Sequence, residues 1–315
     1  MPHPDAATSY GACAAVKALY IANQLNITGA QRDEWASFFD RFQNTSGIWS
    51  NYSRGGAYPG DFTTLYLATW EITDAFGLLG RTPKYNVTKF EAIAADPTQW
   101  APNFLPIFNG TQAGCGSIHG CGHKTAAISV VLAASGLPKD GPFFKWLLRN
   151  ALAHLDTQNG EICPPLCSVN STLPECSSTL YDCLGGGMTY HSMLTYLGVP
   201  WPYPSKVQAL ALKLQKPDGL WSYMSDSMNF DGIYQLSRPC RQQHCGSSTV
   251  AKIEAACSKY VAAAHATLST VATTAHVFDA DFHHFPVCLA TLAECQSWFP
   301  SMVRTARPWK TQTFP

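Results

Sequence analysis

A seven-residue pattern, polar-x-x-x-Gly-x-apolar, returns along the chain and limits what it can fold into more than any other feature. Its copies are Gln43-Asn-Thr-Ser-Gly47-Ile-Trp49, Asp156-Thr-Gln-Asn-Gly160-Glu-Ile162 and Gln215-Lys-Pro-Asp-Gly219-Leu-Trp221. Asp96-Pro-Thr-Gln-Trp100 is a degenerate copy, and the steps from Trp49 to Trp100, Ile162 and Trp221 are 51, 62 and 59 residues. Self-similarity at such a period marks a chain built from repeated supersecondary units.

The flanks repeat as well. Apolar stretches with helical spacing, Ala14 to Leu19, Ala126 to Leu132 and Met193 to Leu197, each end near a Gly, Pro or Asn breaker. Leu79-Gly80-Arg-Thr-Pro83 mirrors Leu197-Gly198-Val-Pro-Trp-Pro202, and Gly136-Leu-Pro138 holds the matching place in another copy. Second helices are expected over 31–42, 143–155 and 205–214, each running into the Gly-x-apolar motif. The unit therefore reads helix, Gly/Pro turn, helix, Gly-x-Trp turn. Four units fit in residues 8–221, and the Ala-rich span 249–298 supplies at least one more helix pair. A two-helix unit of this size cannot bury both faces alone, so neighbouring units must stack.

The third copy, with its preceding helix Lys206-Val-Gln-Ala-Leu-Ala-Leu-Lys-Leu, resembles the QW repeat of triterpene cyclases and prenyltransferases. The same Gln215-Lys-Pro-Asp-Gly219 stretch resembles complement thioester domains. The resemblance implies an all-α chain folded as an α/α toroid, a complete or incomplete ring of about five to six helix pairs within one domain over residues 1–315. It carries little about function. A terpenoid cyclase protonates its substrate with Asp-x-Asp-Asp, whereas Asp279-Ala-Asp281-Phe282 lacks the last Asp. Gly120-Cys121-Gly122-His123-Lys124 resembles the thioester Gly-Cys-Gly-Glu-Gln, but Lys124 replaces the Gln that closes the thioester.

Composition narrows the class further. Twenty-one basic residues balance twenty-one acidic ones, and charged residues make up only 13% of the chain, about half the usual share. With no basic block, nucleic acid is not expected as a partner. No apolar run is long enough to span a membrane. The twelve cysteines are an even number and lie in sequence pairs, Cys115/Cys121, Cys163/Cys167, Cys176/Cys183, Cys240/Cys245 and Cys288/Cys295, with Cys13 and Cys257 left over. Such usage suits disulfides in an oxidising compartment better than zinc, although pairing cannot be read from spacing. No metal or other cofactor is expected. Six Asn-x-Ser/Thr acceptors, at Asn26, Asn44, Asn51, Asn86, Asn109 and Asn170, add the expectation of a secreted glycoprotein whose leader was removed ahead of Met1.

In a ring of this kind, the segment after each Gly-x-apolar turn leads into the next inner helix and faces the cavity mouth. Asp61 and Tyr66 follow Trp49, His119 and His123 follow Trp100, and Asp182, Tyr190 and His191 follow Ile162 beside Gly185-Gly-Gly187. Asn229, Asp231, Tyr234 and Arg238 follow Trp221, and Asp281 and His283 occupy the last unit. His, Asp and Tyr are general acid/base groups, Gly-rich turns let a ligand approach the backbone, and aromatic rings suit sugars. The expected function is therefore a secreted enzyme acting on an acidic polysaccharide or oligosaccharide, with β-elimination favoured over hydrolysis. His123, Asp182, Tyr190, His191, Asp231, Tyr234 and His283 are its catalytic candidates. Asp61, Tyr66, His119, Asn229, Arg238 and Asp281 are candidates for binding substrate. The alternatives are a non-catalytic carbohydrate- or protein-binding toroid, or a terpenoid cyclase-like enzyme. Several candidates also have structural readings, Asp61, Asp182 and Asp231 as helix caps and Tyr190 and Tyr234 as core residues.

Overall fold

A computed structural model describes residues 8–49, 63–109, 117–163, 174–270, 273–274, 277 and 284–311. Among these residues the chain is all-helical, with one isolated bridge between Gln43 and Trp49. The helices are α1 (Ser9–Ile21), α2 (Gly29–Asp40), α3 (Thr69–Leu79), α4 (Thr88–Ala95), α5 (Trp100–Phe108), α6 (Ile118–Ala134) and α7 (Pro142–Ala153). They continue with α8 (Pro174–Tyr196), α9 (Pro204–Leu214), α10 (Met228–Ser237), α11 (Pro239–Gln242), α12 (Ser247–Thr267) and α13 (His284–Trp298). A π-helical turn, Thr63–Ala68, leads into α3.

Local signals explain where these helices start and stop. Thr8 caps α1, Thr28 and Gln31 form a capping box on α2, and Ser117 caps α6. Proline opens α7 and α9, where its missing N–H costs nothing. Six glycines have positive φ: Gly80, Gly136 and Gly198 at the turns after α3, α6 and α8, and Gly47, Gly160 and Gly219 in the three full motif copies. The degenerate copy behaves differently. Asp96 caps a short 3-10 turn, and Trp100 begins α5 rather than closing a Gly turn.

In the first and third motif copies the leading glutamine pins the turn to a later stretch of the chain. Gln43 Nε2 donates to the Gly47 and Tyr85 carbonyls, and Gln215 Nε2 donates to the Gly219 and Ala256 carbonyls. One amide thus closes its own turn and holds the segment beyond. At Gly219, φ is +92° and a Cβ would sit 2.6 Å from the Lys259 carbonyl, so both backbone and space demand glycine. Trp49 and Trp221 are buried under these turns, and Trp221 Nε1 donates to the Ala211 carbonyl.

Helix contacts run in a closed order. α1 packs on α3, α3 on α6, α6 on α8, α8 on α10, α10 on α13, and α13 returns to α1. Between them in sequence lie α2, α4 with α5, α9 and α12, which pack on members of that series, and α7, which packs on α5. The C-terminal segment runs back to α1, with Lys310 N–H donating to the Ile21 carbonyl. The most extensive contact is α6 on α8. There the Gly185-Gly186-Gly187 run, expected in a turn open to ligand, lies inside α8 and faces protein. A Cβ on Gly186 would meet the Ile118 carbonyl, and one on Gly187 would collide with the Glu161 carboxylate.

Disulfides staple the fold at two fully described places. Cys163 bonds Cys183, tying the segment after the second motif copy to α8, and Cys240 bonds Cys245. Cys183 therefore joins Cys163 rather than its sequence neighbour Cys176. Cys121 is also disulfide-bonded. Cys115 and Cys167 lie outside the described residues. Among the described residues no helix is long and apolar enough to cross a membrane.

Charged groups are buried between members of the series. Lys17 on α1 bridges Glu71 at 2.5 Å and Asp74 at 2.8 Å on α3. Burial alone would lower the Lys17 pKa, but Asp74 and Glu71 more than offset it, so the ammonium stays charged. At α10 and α13, Glu294 of α13 receives Ser237, Arg238 and Arg241. Buried ions of this kind are retained only with such partners.

Candidate functional site

One open cleft joins groups that the sequence separates widely. It is formed where the N-terminus of α6, the first half of α8 and the third Gly-x-Trp turn meet, and its volume is about 660 Å³. His119, Tyr181, Asp182, Lys216 and Asp226 bring its chemistry, with Ser117, Ser178, Thr179 and Ser222 around them. Clefts of this size ordinarily take a small molecule or a few sugar units.

Local folding explains each position. Asp182, on α8, accepts from the Ile118 backbone N–H at 2.7 Å and from the His119 N–H at 3.3 Å. It satisfies the unpaired donors that open α6 and so fixes the residue beside it. The His119 imidazole lies against the bare face of Gly185, where a Cβ would come within 2.6 Å, and stacks on His123 at 4.5 Å. His123 in turn packs against Trp70 at 5.8 Å. Tyr181 donates its hydroxyl to the Leu214 carbonyl. Burial, then the nearby Asp218, raises the Tyr181 pKa, so the phenol keeps its proton at neutral pH. Lys216 is exposed and donates to the Ser222 carbonyl. Asp226 accepts from the Met228 N–H at the start of α10. Beside Ser222, Tyr223 is 60% exposed.

Of the expected site residues, His119 and Asp182 line this cleft and His123 stacks behind it. Others are enclosed elsewhere. Asn229 shapes the third turn, accepting from Trp221 N–H and donating to the Tyr223 carbonyl. Arg238 binds Glu294 at 2.9 Å and stands over the Tyr234 ring. Tyr66 is buried, stacked on Phe90. Tyr190, His191, Asp231 and Tyr234 are each at most 2% exposed, so none reaches a polymer from solvent. Asp61, Asp281 and His283 lie outside the described residues. Asn26, Asn44, Asn86 and Asn109 are all exposed, while Asn51 and Asn170 lie outside the described residues.

A second polar group is sealed in the interior. His191 Nε2 lies 3.2 Å from Glu161 Oε2, with both side chains fully buried. The His191 ring stacks on Trp201 at 4.0 Å. Burial raises the Glu161 pKa, and His191 opposes that rise. Asp231 is buried with neither carboxylate oxygen hydrogen-bonded. Its pKa is pushed well up by burial and then by Asp226.

Sequence reasoning passed over Glu161, Lys216, Tyr181 and Asp226. Glu161 carried a visible signal, because the other full motif copies place Ile48 and Leu220 at its position. Lys216 sat inside a motif read as structural.

Among the described residues no group of three His, Cys, Asp or Glu side chains is arranged to hold a metal ion. Comparison with known proteins finds no matching family model, no matching curated relative and no matching solved structure.

Proposed function

We propose that this chain is a secreted α/α toroid that binds an acidic glycan in the α6–α8 cleft and cleaves it by β-elimination. The observation that carries the reading is the presence of His119, Lys216 and Tyr181 in one open cleft. Elimination from a uronic acid needs a cation on the carboxylate, a base at C5 and a proton donor for the departing oxygen. Lys216 supplies the cation. The His119 imidazole removes the C5 proton, and the released electron pair forms the C4–C5 double bond as the bond to O4 breaks. Tyr181, which retains its proton, serves the leaving oxygen by giving up its hydrogen bond to the Leu214 carbonyl. The exposed Tyr223 ring offers a flat platform for a neighbouring sugar. Arg238 and Asn229, the expected carboxylate partners, are engaged inside the protein, so that role passes to Lys216. Hydrolysis is less well supported, because Asp182 and Asp226 already accept backbone N–H groups.

The toroid reading rests on the closed order of helix contacts and on the first and third motif turns pinned to later stretches of the chain. Secretion and glycosylation rest on the disulfides and on exposed acceptor asparagines. The test is incubation with uronate-containing and neutral polysaccharides, following the ultraviolet absorbance of an unsaturated uronate. Absorbance from uronate polymers that is lost in H119A is the expected result. New reducing ends without absorbance would replace elimination by hydrolysis. Binding without either product would make the chain a carbohydrate-binding module.

A further inference from the structure

The segment that follows α13, residues 299–311, is a strap tied down along its length. Gln296 Nε2 donates to the Val303 carbonyl and to the Thr305 hydroxyl, and Gln296 Oε1 accepts the Trp309 N–H. Lys310 N–H donates to the Ile21 carbonyl at the end of α1, and Asn23 Nδ2 donates to the Pro308 carbonyl. The Trp309 ring packs against the apolar cluster that holds Ile21 and Trp201. All these ties use backbone groups and uncharged side chains. They fix the strap and leave its charged side chains, Arg304, Arg307 and Lys310, exposed to solvent. Elsewhere arginine is paired: Arg81 with Asp33, and Arg238 and Arg241 with Glu294. Arg304 and Arg307 have no acidic partner among the described residues, and the Lys310 ammonium stands 4.9 Å over the Tyr20 ring. The surroundings add no negative charge of their own. Residues 9–32, 197–209 and 295–311, which the strap joins, contain no Asp or Glu.

We infer that this strap is a second docking surface for an anionic polysaccharide, separate from the α6–α8 cleft, to whose lining it contributes no residue. The choice of a glycan as the polyanion rests on the function proposed above. Six residues of chain reach at most about 22 Å, so Arg304, Arg307 and Lys310 present their charges over a short run of sugars. A guanidinium binds sulfate or carboxylate through paired N–H groups. Because the backbone is already fixed, docking orders side chains alone, which lowers its entropic cost. Nucleic acid fits less well, since the chain as a whole carries no net charge to supply the wider phosphate contacts such binding uses. An anionic bilayer fits less well too, because the strap's tryptophan is turned into the protein rather than offered to the interface. A polymer held at the strap and long enough to reach the cleft would meet it at a raised local concentration.

The full chain is passed over immobilised heparin, a sulfated polysaccharide, and over immobilised polygalacturonate, at about 0.15 M salt. The wild type should be retained, and R304A/R307A should wash through with an unchanged melting temperature. R304K/R307K, which keeps the charge, should stay bound. H119A, which removes the proposed base from the cleft, should be retained like the wild type. Passage of the wild type through both columns overturns the proposal, as does equal retention of R304A/R307A. Loss of R304K/R307K as complete as that of R304A/R307A would trace the effect to a changed fold and overturn it as well. Tighter retention on immobilised DNA or on vesicles of anionic lipid would replace the polysaccharide with another partner. The readout is retention rather than cleavage, so the strap can hold a polyanion even if the cleft proves inert, and the cleft can be active with a strap that binds nothing.

Discussion

His191 Nε2 lies 3.2 Å from Glu161 Oε2 in the interior, where neither side chain meets solvent. Glu161 arrives from the second motif turn and His191 from α8, so the pair joins a repeat turn to a helix of the closed series. Removing one member strands a buried polar group. E161A is expected to cost about 3–5 kcal/mol, and E161Q, which keeps an acceptor for His191, distinctly less. Urea unfolding of the two variants checks this; equal losses would mean that the side chain acts by filling space alone.

Asp231 gives a pH dependence whose sign is fixed. Burial first and Asp226 second raise its pKa in the folded chain, so the folded state holds the proton more tightly than the unfolded state. Its contribution is fully present below the ordinary carboxylate range and is lost as pH rises toward the raised folded value. Each pH unit across that window costs about 1.4 kcal/mol. D231N mimics the neutral acid and is expected to match the wild type near pH 4 and exceed it near pH 8. Denaturant titrations at the two pH values test it, and an unchanged difference between them would show that Asp231 ionises freely in the fold.

Gly219 and Gly136 separate backbone strain from crowding. Their φ angles are +92° and +94°, yet a Cβ on Gly219 would press on the Lys259 backbone while one on Gly136 would meet nothing within 4 Å. G136A therefore carries only the left-handed penalty, about 1 kcal/mol. G219A adds the clash and should cost at least twice as much, because the turn must move off α12. Thermal melts of the two variants measure the difference.

The helices and turns were legible because they follow from local rules. Gly47, Gly80, Gly136, Gly160, Gly198 and Gly219 each punctuate the sequence, and each carries a positive φ. Of the disulfide partners, Cys240 and Cys245 were neighbours in sequence, but Cys163 and Cys183 were not legible. Cys163 meets Cys183 across a segment that includes two nearer cysteines, and only the packing of α8 decides between them. The site was legible in part. Asp182 and His119 stood out as polar groups in an apolar chain, but that α8 caps α6 depends on the close glycine contact between the helices. Gly185-Gly-Gly187 carried the right signal, close backbone approach, with helix α6 rather than a ligand as the object approached.

Asp182 provides the last separation, between holding the cleft and performing its chemistry. Its carboxylate accepts the Ile118 and His119 backbone N–H groups, so D182A leaves the N-terminus of α6 with fewer acceptors and should lower stability by about 1–2 kcal/mol. The same change releases the backbone that carries His119, and on the elimination reading kcat falls with it. K216A touches no helix terminus. It should leave the melting temperature unchanged and, if Lys216 faces the uronate carboxylate, raise KM for acidic polymers and reduce kcat, since the charge it stabilises grows in the transition state. Measuring stability and steady-state kinetics on both variants resolves the two roles. A K216A enzyme with unaltered kinetics on every acidic polymer would remove Lys216 from the chemistry and leave the cleft without a carboxylate partner among its lining residues.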